Sequence, residues 1–287
     1  MKILILGADG QLGTDLVKTN PGRDVVGAVL ADADVTDAGA VRTLVEKHRP
    51  AWVVNTTAFT RTEDCEEKPE LAFAVNAFGA RNAATAARGV GARLLTIGTD
   101  FVFDGEKGAP YVESDPVRPL NVYGISKYAG ERLAQVEAPD AVVARGASLF
   151  GAAGALGKGG NFVESILKKA KAGEDVSVVN DIVVSPTYTR DMAARLWELI
   201  DRNAPGGVYH IVNPGACSWW EFAAEALRLV GLPAPKPVPS SAYPSKIKRP
   251  KYAALGSERL KPLGFAPLRS WRDALKAYLV EKGHIVR

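Results

Sequence analysis

The fold class follows from one stretch near the start of the chain, Lys2-Ile3-Leu4-Ile5-Leu6-Gly7-Ala8-Asp9-Gly10-Gln11-Leu12-Gly13. Its first five residues form a short, continuous apolar run, which is the pattern of a strand buried on both faces of a parallel sheet. The residues that follow, Thr14-Asp15-Leu16-Val17, are typical of a helix. We therefore predict a strand, a tight turn and a helix, the first unit of a Rossmann-type, doubly wound α/β fold.

The glycines of this turn have the spacing that binding of a dinucleotide requires. Gly7, Gly10 and Gly13 stand three residues apart. Such a turn lets the backbone approach a pyrophosphate, and it points the free N–H groups and the dipole of the helix N-terminus at the anion. A glycine-rich turn without a ligand is the alternative. Because the strand and the helix are both in place, the pattern favours a nicotinamide dinucleotide site.

The end of the second predicted strand, Asp24 to Val29, bears on the choice of cofactor. Many NAD-specific enzymes carry an acidic residue there, which bonds the ribose 2′-hydroxyl. Here the nearest acids, Asp32 and Asp34, lie in the loop beyond, and no arginine stands at the strand end to hold a 2′-phosphate. With no carboxylate to repel that phosphate, we expect NADP(H) to be favoured and NAD(H) to be the alternative.

A later segment, Tyr123-Gly124-Ile125-Ser126-Lys127, places a phenol and an amine one turn apart on one helix face. A free phenol has a pKa of about 10. A nearby ammonium favours the phenolate, so we expect Lys127 to lower the pKa of Tyr123 towards the range where general acid catalysis is efficient. The same spacing also occurs by chance in surface contacts, so its meaning depends on the rest of the chain.

Two further predicted strands deliver polar residues to the same edge of the sheet. Residues 51–55 lead into Thr56-Thr57-Ala58-Phe59-Thr60, and residues 94–98 lead into Thr99-Asp100-Phe101. The carboxyl ends of the strands in such sheets are where ligands lie. Thr99 is therefore expected to hydrogen-bond a reacting oxygen alongside Tyr123. A phosphate-binding turn, a hydroxyl at a strand end and a Tyr-x-x-x-Lys helix together predict a reductase site.

Several other segments give simpler expectations. The charged segment Arg61 to Lys68 is predicted to be a solvated loop, and Ala72 to Gly89 to be one helix. Phe150 to Gly160 is glycine-rich and is either a lid or a plain connection. Trp219 to Leu229 is predicted to be an amphipathic helix whose aromatic residues belong to the core rather than to a base-stacking platform. Pro233 to Pro250 contains six prolines and is predicted to be an ordered loop or a mobile flap.

These motifs resemble the extended short-chain dehydrogenase/reductases, and most closely the dTDP-4-dehydrorhamnose reductase family. The resemblance runs through nearly the whole chain, and five segments carry it: Gly7–Gly13, Thr99–Gly105, Pro119–Glu131, Val184–Thr187 and Arg249-Pro250. It implies NAD(P)H-dependent reduction of the 4-keto group of a dTDP-linked 6-deoxy-hexulose. The alternatives are reduction of another nucleotide-linked 4-keto-sugar, or a non-catalytic NADP-binding regulatory subunit, against which the presence of the three catalytic residues argues.

The resemblance also implies roles for single residues. Thr99, Tyr123 and Lys127 would form the catalytic triad, with Tyr123 as proton donor and Lys127 holding the nicotinamide ribose. Cofactor contacts are expected at Gly7, Gly10, Gln11, Leu12, Gly13, Asp34, Val35, Ala58, Phe59, Thr60, Tyr123 and Lys127. Substrate contacts are expected at Thr99, Asp100, Phe101, Ser148, Asn161 and Arg249.

Two positions depart from the pattern of the resembled family. Ser148 stands where family members often carry an aromatic residue that packs on the sugar, so the hexose pocket is expected to differ. Arg190 stands where an acid of a magnesium site shared between subunits would be expected. Since the three histidines and two cysteines are also dispersed, no metal is predicted.

Composition limits the remaining possibilities. With 287 residues, 47% hydrophobic and 24% charged, the chain has the composition of a soluble globular protein. We predict a dinucleotide-binding domain over residues 1–149 and a smaller, mainly substrate-binding domain over residues 150–287, with some elements returning to the first domain. The net charge of +4 is scattered and no apolar run is long enough to span a membrane, so neither nucleic acid nor a membrane is an expected partner. The expected partner is a nucleotide-sugar substrate, in a monomer or homodimer, and two distant cysteines indicate the cytoplasm.

Overall fold

The structure, a computed structural model, describes residues 1–154 and 160–286. Its strands are Lys2–Leu6 (β1), Asp24–Ala28 (β2), Trp52–Asn55 (β3), Arg93–Thr99 (β4), Val142–Gly146 (β5), Leu149–Phe150 (β6), Ser177–Val179 (β7), Val183–Val184 (β8), Thr187–Tyr188 (β9), Gly207–His210 (β10), Cys217–Ser218 (β11) and Lys236–Val238 (β12). Its α-helices are Gln11–Lys18 (α1), Ala38–His48 (α2), Thr62–Glu67 (α3), Pro69–Phe73 (α4), Gly79–Gly89 (α5), Val122–Glu137 (α6), Phe162–Lys171 (α7), Thr189–Asp201 (α8), Trp219–Leu229 (α9) and Trp271–Glu281 (α10).

The central sheet has six parallel strands in the order β10-β5-β4-β3-β1-β2. Side chains of β1 alternate between its two faces. Ile3 and Ile5 join one apolar cluster, which includes residues of α1 and α8, while Leu4 and Leu6 join another, which includes residues of α2, α5 and α6. All four are almost fully buried, as expected for a strand covered by helices on both faces. The predicted doubly wound fold is confirmed.

The order of the sheet reverses beside β1, where the chain passes first to β2 on one side and then to β3 on the other. In such sheets a crevice forms where the order reverses, outside the carboxyl ends of the strands. Thr56, just after β3, lines this crevice. Its backbone N–H and its hydroxyl both donate to the carbonyl of Leu6, at 3.0 and 2.8 Å, and so connect the ends of β3 and β1.

The second half of the chain contributes to this sheet and also builds a separate apolar cluster. Strand β10 lies at the sheet edge beside β5, and α8 packs against α1. The other cluster gathers Phe150, Leu167, Phe222, Trp271 and Tyr278 from β6, α7, α9 and α10. The division of the chain into domains at residues 149 and 150 stays a prediction.

Some local expectations were wrong. The segment predicted to be a solvated loop contains helix α3, which carries Glu63 and Asp64 in its first turn, where acidic side chains interact favourably with the helix dipole, and which buries Cys65. The predicted helix over residues 72–89 is interrupted by a π-helical turn, Ala74–Phe78. The predicted proline-rich loop contains β12, which pairs with β7. Residues 155–159 of the predicted lid or connection lie outside the described residues.

Two glycines let α6 approach its neighbours closely. A Cβ on Gly124 would lie 2.3 Å from the carbonyl oxygen of Phe101, and one on Gly130 would lie 2.1 Å from the carbonyl oxygen of Asn76. Both distances are far below any that a real Cβ adopts, and the obstructing atoms are backbone. Helix α6 therefore packs directly on the 3₁₀ turn Asp100–Val102 that follows β4 and on the π-helical turn.

We expect Gly130→Ala to lower the free energy of unfolding by about 1–3 kcal/mol, because the added methyl group overpacks a backbone contact. Gly89, on α5, is the matched control, since nothing lies within 4 Å of a Cβ there. Gly89→Ala should leave stability unchanged or raise it by up to about 1 kcal/mol through helix propensity. Urea denaturation of both variants measures this, and equal stabilities would contradict the role given to Gly130.

Candidate active site

A cleft of about 1180 Å³ opens at the carboxyl edge of the sheet. The glycine turn after β1 and the loop after β2 line one part of it, the ends of β3 and β4 and the start of α6 line its middle, and residues of the second half line the rest. Every site residue predicted from the sequence lines this one cleft except Gly13. The structure thus brings together residues that lie up to about 240 positions apart in the chain.

The glycine turn has the geometry of an anion cradle. Gly7 has a φ of 79°, which favours glycine, and Gly10 is the N-cap of α1 without a side chain that could bond the first N–H groups of the helix. A Cβ on Gly13 would lie 2.1 Å from the carbonyl oxygen of Gly7. Gly13 therefore serves the packing of α1 against the turn rather than lining the cleft. The open N–H groups and the close backbone suit a pyrophosphate.

Tyr123 lies in the first turn of α6, which Asn121 caps. The Asn121 side chain accepts a hydrogen bond from the N–H of Gly124 at 2.9 Å and donates one to the carbonyl of Lys248 at 2.9 Å. One side chain thus both starts the helix and ties it to the loop that carries Arg249. The phenol hydrogen-bonds with Thr99 at the end of β4. The packing of α6 against β4 brings the phenol and the threonine hydroxyl together.

Burial sets the pKa of Tyr123. Removal of its hydroxyl from bulk water raises the pKa above its usual range, the neighbouring Thr99 hydroxyl opposes that change, and the Asp100 carboxylate adds to it. The predicted lowering by Lys127 was wrong for this structure, because the Lys127 amine donates instead to the carbonyl of Ile97 at 2.7 Å. The phenol therefore stays protonated and is a weaker acid than a free phenol.

Lys127 is 6% exposed, and its pKa is shifted downward, opposite to the shift of Tyr123. Burial lowers its pKa to about 8, and the carboxylate of Glu131, one turn further along α6, partly offsets this effect. Glu131 itself forms a buried ion pair with Arg145 of β5 at 2.7 Å. The sequence analysis did not predict the ion pair of Glu131 with Arg145. The four-residue spacing of Lys127 and Glu131 was, however, a signal that these two side chains interact.

Asp100 adds a titratable group next to Thr99. It is 3% exposed, and burial raises its pKa to about 7. Its carboxylate accepts a hydrogen bond from the Thr99 hydroxyl at 3.1 Å. The neighbouring Phe101 packs the edge of its ring on Tyr123, with 5.4 Å between ring centroids. The three residues predicted to contact substrate at this strand end therefore surround the phenol.

The loop Ala58 to Thr60 is held in place by Asn76 of the π-helical turn. The amide of Asn76 accepts from the N–H of Phe59 at 2.8 Å and donates to its carbonyl at 3.1 Å. It also donates to the hydroxyl of Ser126 at 3.0 Å. Because Ser126 precedes Lys127 on α6, this side chain couples the predicted cofactor loop to the helix that carries Tyr123 and Lys127.

The acids of the loop after β2 are bonded within that loop. Asp34 accepts from the N–H and the hydroxyl of Thr36 at 2.9 and 2.8 Å, and Asp32 accepts from the N–H of Val29 at 2.9 Å. Val35 is buried beside them. Asp34 and Val35 both line the cleft. The Asp34 carboxylate is bonded within the loop, and the Val35 carbonyl accepts a hydrogen bond from the Asn82 amide of α5 at 2.8 Å.

Among the predicted substrate contacts, Asn161 has a structural role. It caps α7, accepting from the N–H of Glu164 at 3.1 Å, and its amide donates to the carbonyl of Gly151 at 3.0 Å and to the hydroxyl of Tyr278 at 2.9 Å. Its hydrogen bonds are thus made inside the protein, although it borders the cleft. Nothing in this geometry requires a ligand.

Ser148 and Arg249, two further predicted substrate contacts, also line the cleft. Ser148 has a φ of 44°, a left-handed conformation that is uncommon outside glycine. The side chain of Arg249 is 37% exposed and forms an ion pair with Glu63 of α3. Helix α3, predicted to be a solvated loop, therefore forms a wall of the site and supplies the carboxylate that Arg249 contacts.

The sequence analysis missed an apolar group at the far end of the cleft, formed by Phe162, Ile182, Val184, Trp219 and Ala253. Assigning the aromatic residues of α9 to the core was correct for Phe222, which is buried, but incomplete for Trp219, which is half-buried and lines the cleft. The hydrophobic periodicity of α9 could not predict that Trp219 lines the cleft, because the first residue of this helix can contact both the core and the cleft.

Within residues 1–154 and 160–286, no helix is both long enough and apolar enough to cross a membrane. Groups of three or more histidine, cysteine, aspartate or glutamate side chains that could hold a metal ion are also absent from residues 1–154 and 160–286.

Comparison with known proteins gives concordant matches. A dTDP-4-dehydrorhamnose reductase from Streptomyces griseus is 41% identical, over 95% of this chain and 91% of that protein. A dTDP-4-keto-6-deoxy-D-glucose reductase from Streptomyces niveus is 36% identical, over 95% of this chain and 94% of that protein. Both are similar along nearly their full length, so the likeness covers the sheet and the second-half elements alike.

Solved structures agree with this. The dTDP-4-dehydrorhamnose reductase of Bacillus anthracis, in complex with NADP, has a TM-score of 0.92 and 34% identity, covering 98% of this chain and 99% of that one. The Bordetella bronchiseptica enzyme WbmG, in complex with NAD, has a TM-score of 0.82 and 25% identity, covering 98% and 94%. A family model, the RmlD substrate binding domain, matches residues 1–283. The chain belongs to the RmlD substrate binding domain family.

Proposed function

We propose that the protein is an NAD(P)H-dependent oxidoreductase that reduces the 4-keto group of dTDP-4-dehydro-L-rhamnose to dTDP-L-rhamnose. The observation that carries this proposal is the meeting of Thr99, Tyr123 and Lys127 with the glycine turn along one cleft. The names of the relatives supply the substrate class. The intact trio argues against a purely regulatory subunit, and the reaction is proposed to take place in the cytoplasm.

The residues of the cleft fit a nicotinamide dinucleotide. Gly7, Gly10, Gln11 and Leu12 would hold its pyrophosphate, Asp34 and Val35 would border the adenosine ribose, and the loop 58–60 would lie along the cofactor. When bound, the cofactor supplies the hydride. NADP(H) is proposed as the favoured form. Asp32 and Asp34 are bonded within their own loop, and the Bacillus anthracis relative is in complex with NADP.

The chemistry assigned to this chain is proton donation and electrostatic stabilisation. Tyr123 gives its proton to the oxygen of the reduced carbonyl, and Thr99 hydrogen-bonds the same oxygen. Lys127 holds the nicotinamide ribose. Donors fixed in advance around a developing alkoxide supply the largest share of rate in many enzymes, and the burial of Thr99 fixes one of these donors.

A second substrate, another nucleotide-linked 4-keto-sugar, is favoured by two observations. One relative is named for a different dTDP-keto-sugar, and Ser148 leaves the cleft without the aromatic residue expected at that position. NADPH oxidation, with mass spectrometry of the products, over dTDP-, UDP- and GDP-linked 4-keto-sugars separates the two. Turnover of none of them would overturn the proposed function.

We expect Tyr123→Phe to lower kcat by about 10²–10⁴-fold, because general acid catalysis contributes that much, while NADP affinity changes little. Steady-state NADPH oxidation and fluorescence titration of NADPH measure the two effects. Tyr128→Phe is the matched control, since Tyr128 is a partly buried tyrosine on the same helix that packs against the apolar cluster around Phe103. Retained turnover in Tyr123→Phe would remove the assignment of Tyr123 as acid.

Cofactor affinity should depend on pH through Lys127. Because burial lowers the pKa of Lys127 to about 8, its ammonium loses its proton as the pH rises through that value. We expect NADPH affinity of the free enzyme to fall between about pH 7 and about pH 9.

The control for this profile is Lys127→Met. This variant should bind NADPH more weakly at about pH 7, and its affinity should vary less with pH, because the titrating amine is gone. Isothermal titration of both proteins across the range measures the difference. Identical profiles would show that another group titrates.

A further inference from the structure

A row of three charged side chains lies buried where α6 packs against the central sheet. Lys127 and Glu131 stand one turn apart on α6, and Arg145 lies on β5. These residues are 6%, 2% and 2% exposed. A charge in a protein interior is costly unless it is paired and hydrogen-bonded. The contacts within this row therefore decide which charges the interior can hold.

The Glu131 carboxylate has room beside β4 because the strand carries a glycine at this point. A Cβ on Gly98 would lie 2.3 Å from Oε1 of Glu131 and 2.7 Å from Cγ of Arg145. Gly98 stands opposite Arg145 in the register of β4 and β5. The residue before it, Ile97, accepts the hydrogen bond from Nζ of Lys127 at 2.7 Å. The carboxylate and the amine thus contact consecutive residues of one strand.

Arg145 fixes the position of this carboxylate. Its Nε donates to both carboxylate oxygens of Glu131 at 3.1 Å, and its Nη2 donates to Oε2 at 2.7 Å. Its Nη1 lies 3.4 Å from Nε2 of His210, whose Nδ1 lies 2.8 Å from the carbonyl oxygen of Gly256. Burial lowers the pKa of His210 and so favours the neutral ring. Because a carbonyl oxygen only accepts, Nδ1 carries the proton and Nε2 accepts from the guanidinium.

The other titratable groups on elements packed against α6 have contacts elsewhere. Asp100 lies beside Thr99 and Tyr123. The remainder are Cys65, near the Phe59 carbonyl; Glu66, which accepts from the N–H of Val122; Glu63, Asp64 and Glu67, paired with Arg249, Arg61 and Lys246; Glu70, which is exposed; Arg81 and Arg88, paired with Glu137; Arg93, paired with Asp140; and, on α6 itself, Tyr128, packed near Phe103, and Arg132, bonded to Gln135. Burial lowers the pKa of Lys127 to about 8, and the charge that opposes this effect is that of Glu131.

We propose that Glu131 is a positioning residue whose carboxylate, held by Arg145 against Gly98, keeps the Lys127 amine charged at neutral pH. This inference rests on the proposed function and deepens it, because a charged Lys127 is the form assigned to the nicotinamide ribose. Glu131 itself does not line the cleft. It acts on the cofactor through Lys127, and Gly98 is the residue that makes its approach possible.

The test is the pH dependence of NADPH affinity in Glu131→Gln, which removes the charge and keeps the shape of the side chain. An opposite charge nearby shifts a pKa by about one unit or more, so the pH at which affinity falls should move down by about one unit. Affinity should then be about fivefold below wild type at about pH 8 and within about twofold of it at about pH 6.5, where both lysines are mostly charged. Isothermal titration across this range measures both values.

A purely structural role for Glu131 gives a different profile. Displacement of Lys127 would weaken NADPH binding equally at every pH and leave the midpoint where it is in wild type, and that result would overturn the proposal. The double variant Glu131→Leu with Arg145→Met covers a failure of the single variant to fold, because replacing a buried ion pair by apolar residues is often neutral for stability. Its midpoint should also move down, and an unchanged midpoint there would refute the role of Glu131.

Glu137 provides the matched control, since it is a second glutamate of α6 that pairs with arginines. It stands ten residues beyond Lys127, which is about 15 Å along the helix. That distance exceeds the screening length of about 8–10 Å at ordinary salt concentrations. Glu137→Gln should therefore leave the midpoint within about 0.2 pH units of wild type. A displacement equal to that of Glu131→Gln would show that any lost charge on α6 has this effect, against the proposal.

A measurement on the cofactor-free protein separates this inference from the proposed function. Competitive acetylation with acetic anhydride, followed by peptide mass spectrometry, reports the titration of the Lys127 amine itself, because only the uncharged amine reacts. Its midpoint should be about one pH unit lower in Glu131→Gln than in wild type. If that difference appeared in a protein that reduced no keto-sugar, the role of Glu131 would stand and the reductase would not. Equal midpoints in a protein that did reduce such a sugar would overturn the role of Glu131 alone.

Discussion

Helix α6 can hold the phenol of Tyr123 where it does only because two of its residues lack a side chain. The backbone carbonyls of Phe101 and Asn76 occupy the space that a Cβ on Gly124 or Gly130 would need. Protein interiors are too densely packed to absorb even one extra carbon without a shift of the surrounding atoms. The position of Tyr123 relative to Thr99, and of Lys127 relative to β4, therefore depends on these backbone contacts.

The same packing places charges in a dry environment. Lys127 and the ion pair of Glu131 with Arg145 lie under β4, where a Cβ on Gly98 would be 2.3 Å from a carboxylate oxygen of Glu131. A buried ion pair contributes little net stability, because desolvation offsets the Coulombic attraction. Breaking this ion pair would leave an unpaired buried charge next to Lys127. The lowered pKa of Lys127 and the raised pKa of Tyr123 both arise from this shielding from water.

What the sequence could predict was local. The turn at Gly7–Gly13, the strand ends at Thr56 and Thr99, and the pair of Tyr123 and Lys127 are set by short patterns, and the topology of parallel sheets brings them to one edge. Properties that depend on distant neighbours could not be predicted. Burial raised the pKa of Tyr123, opposite to the expected direction. The charged segment that contains Glu63 formed helix α3, which contacts Arg249. Trp219 contacts both the core and the cleft.

The backbone at Ser148 limits how this protein could acquire a different sugar preference. A φ of 44° is readily adopted by glycine and, at some cost, by asparagine or aspartate, but branched and bulky residues rarely adopt this conformation. Replacement of Ser148 by a branched or bulky residue would therefore require a change in the backbone between β5 and β6. Phe162 and Trp219 also line the cleft, are the first residues of α7 and α9, and have no positive φ, so the backbone does not restrict their side chains in this way.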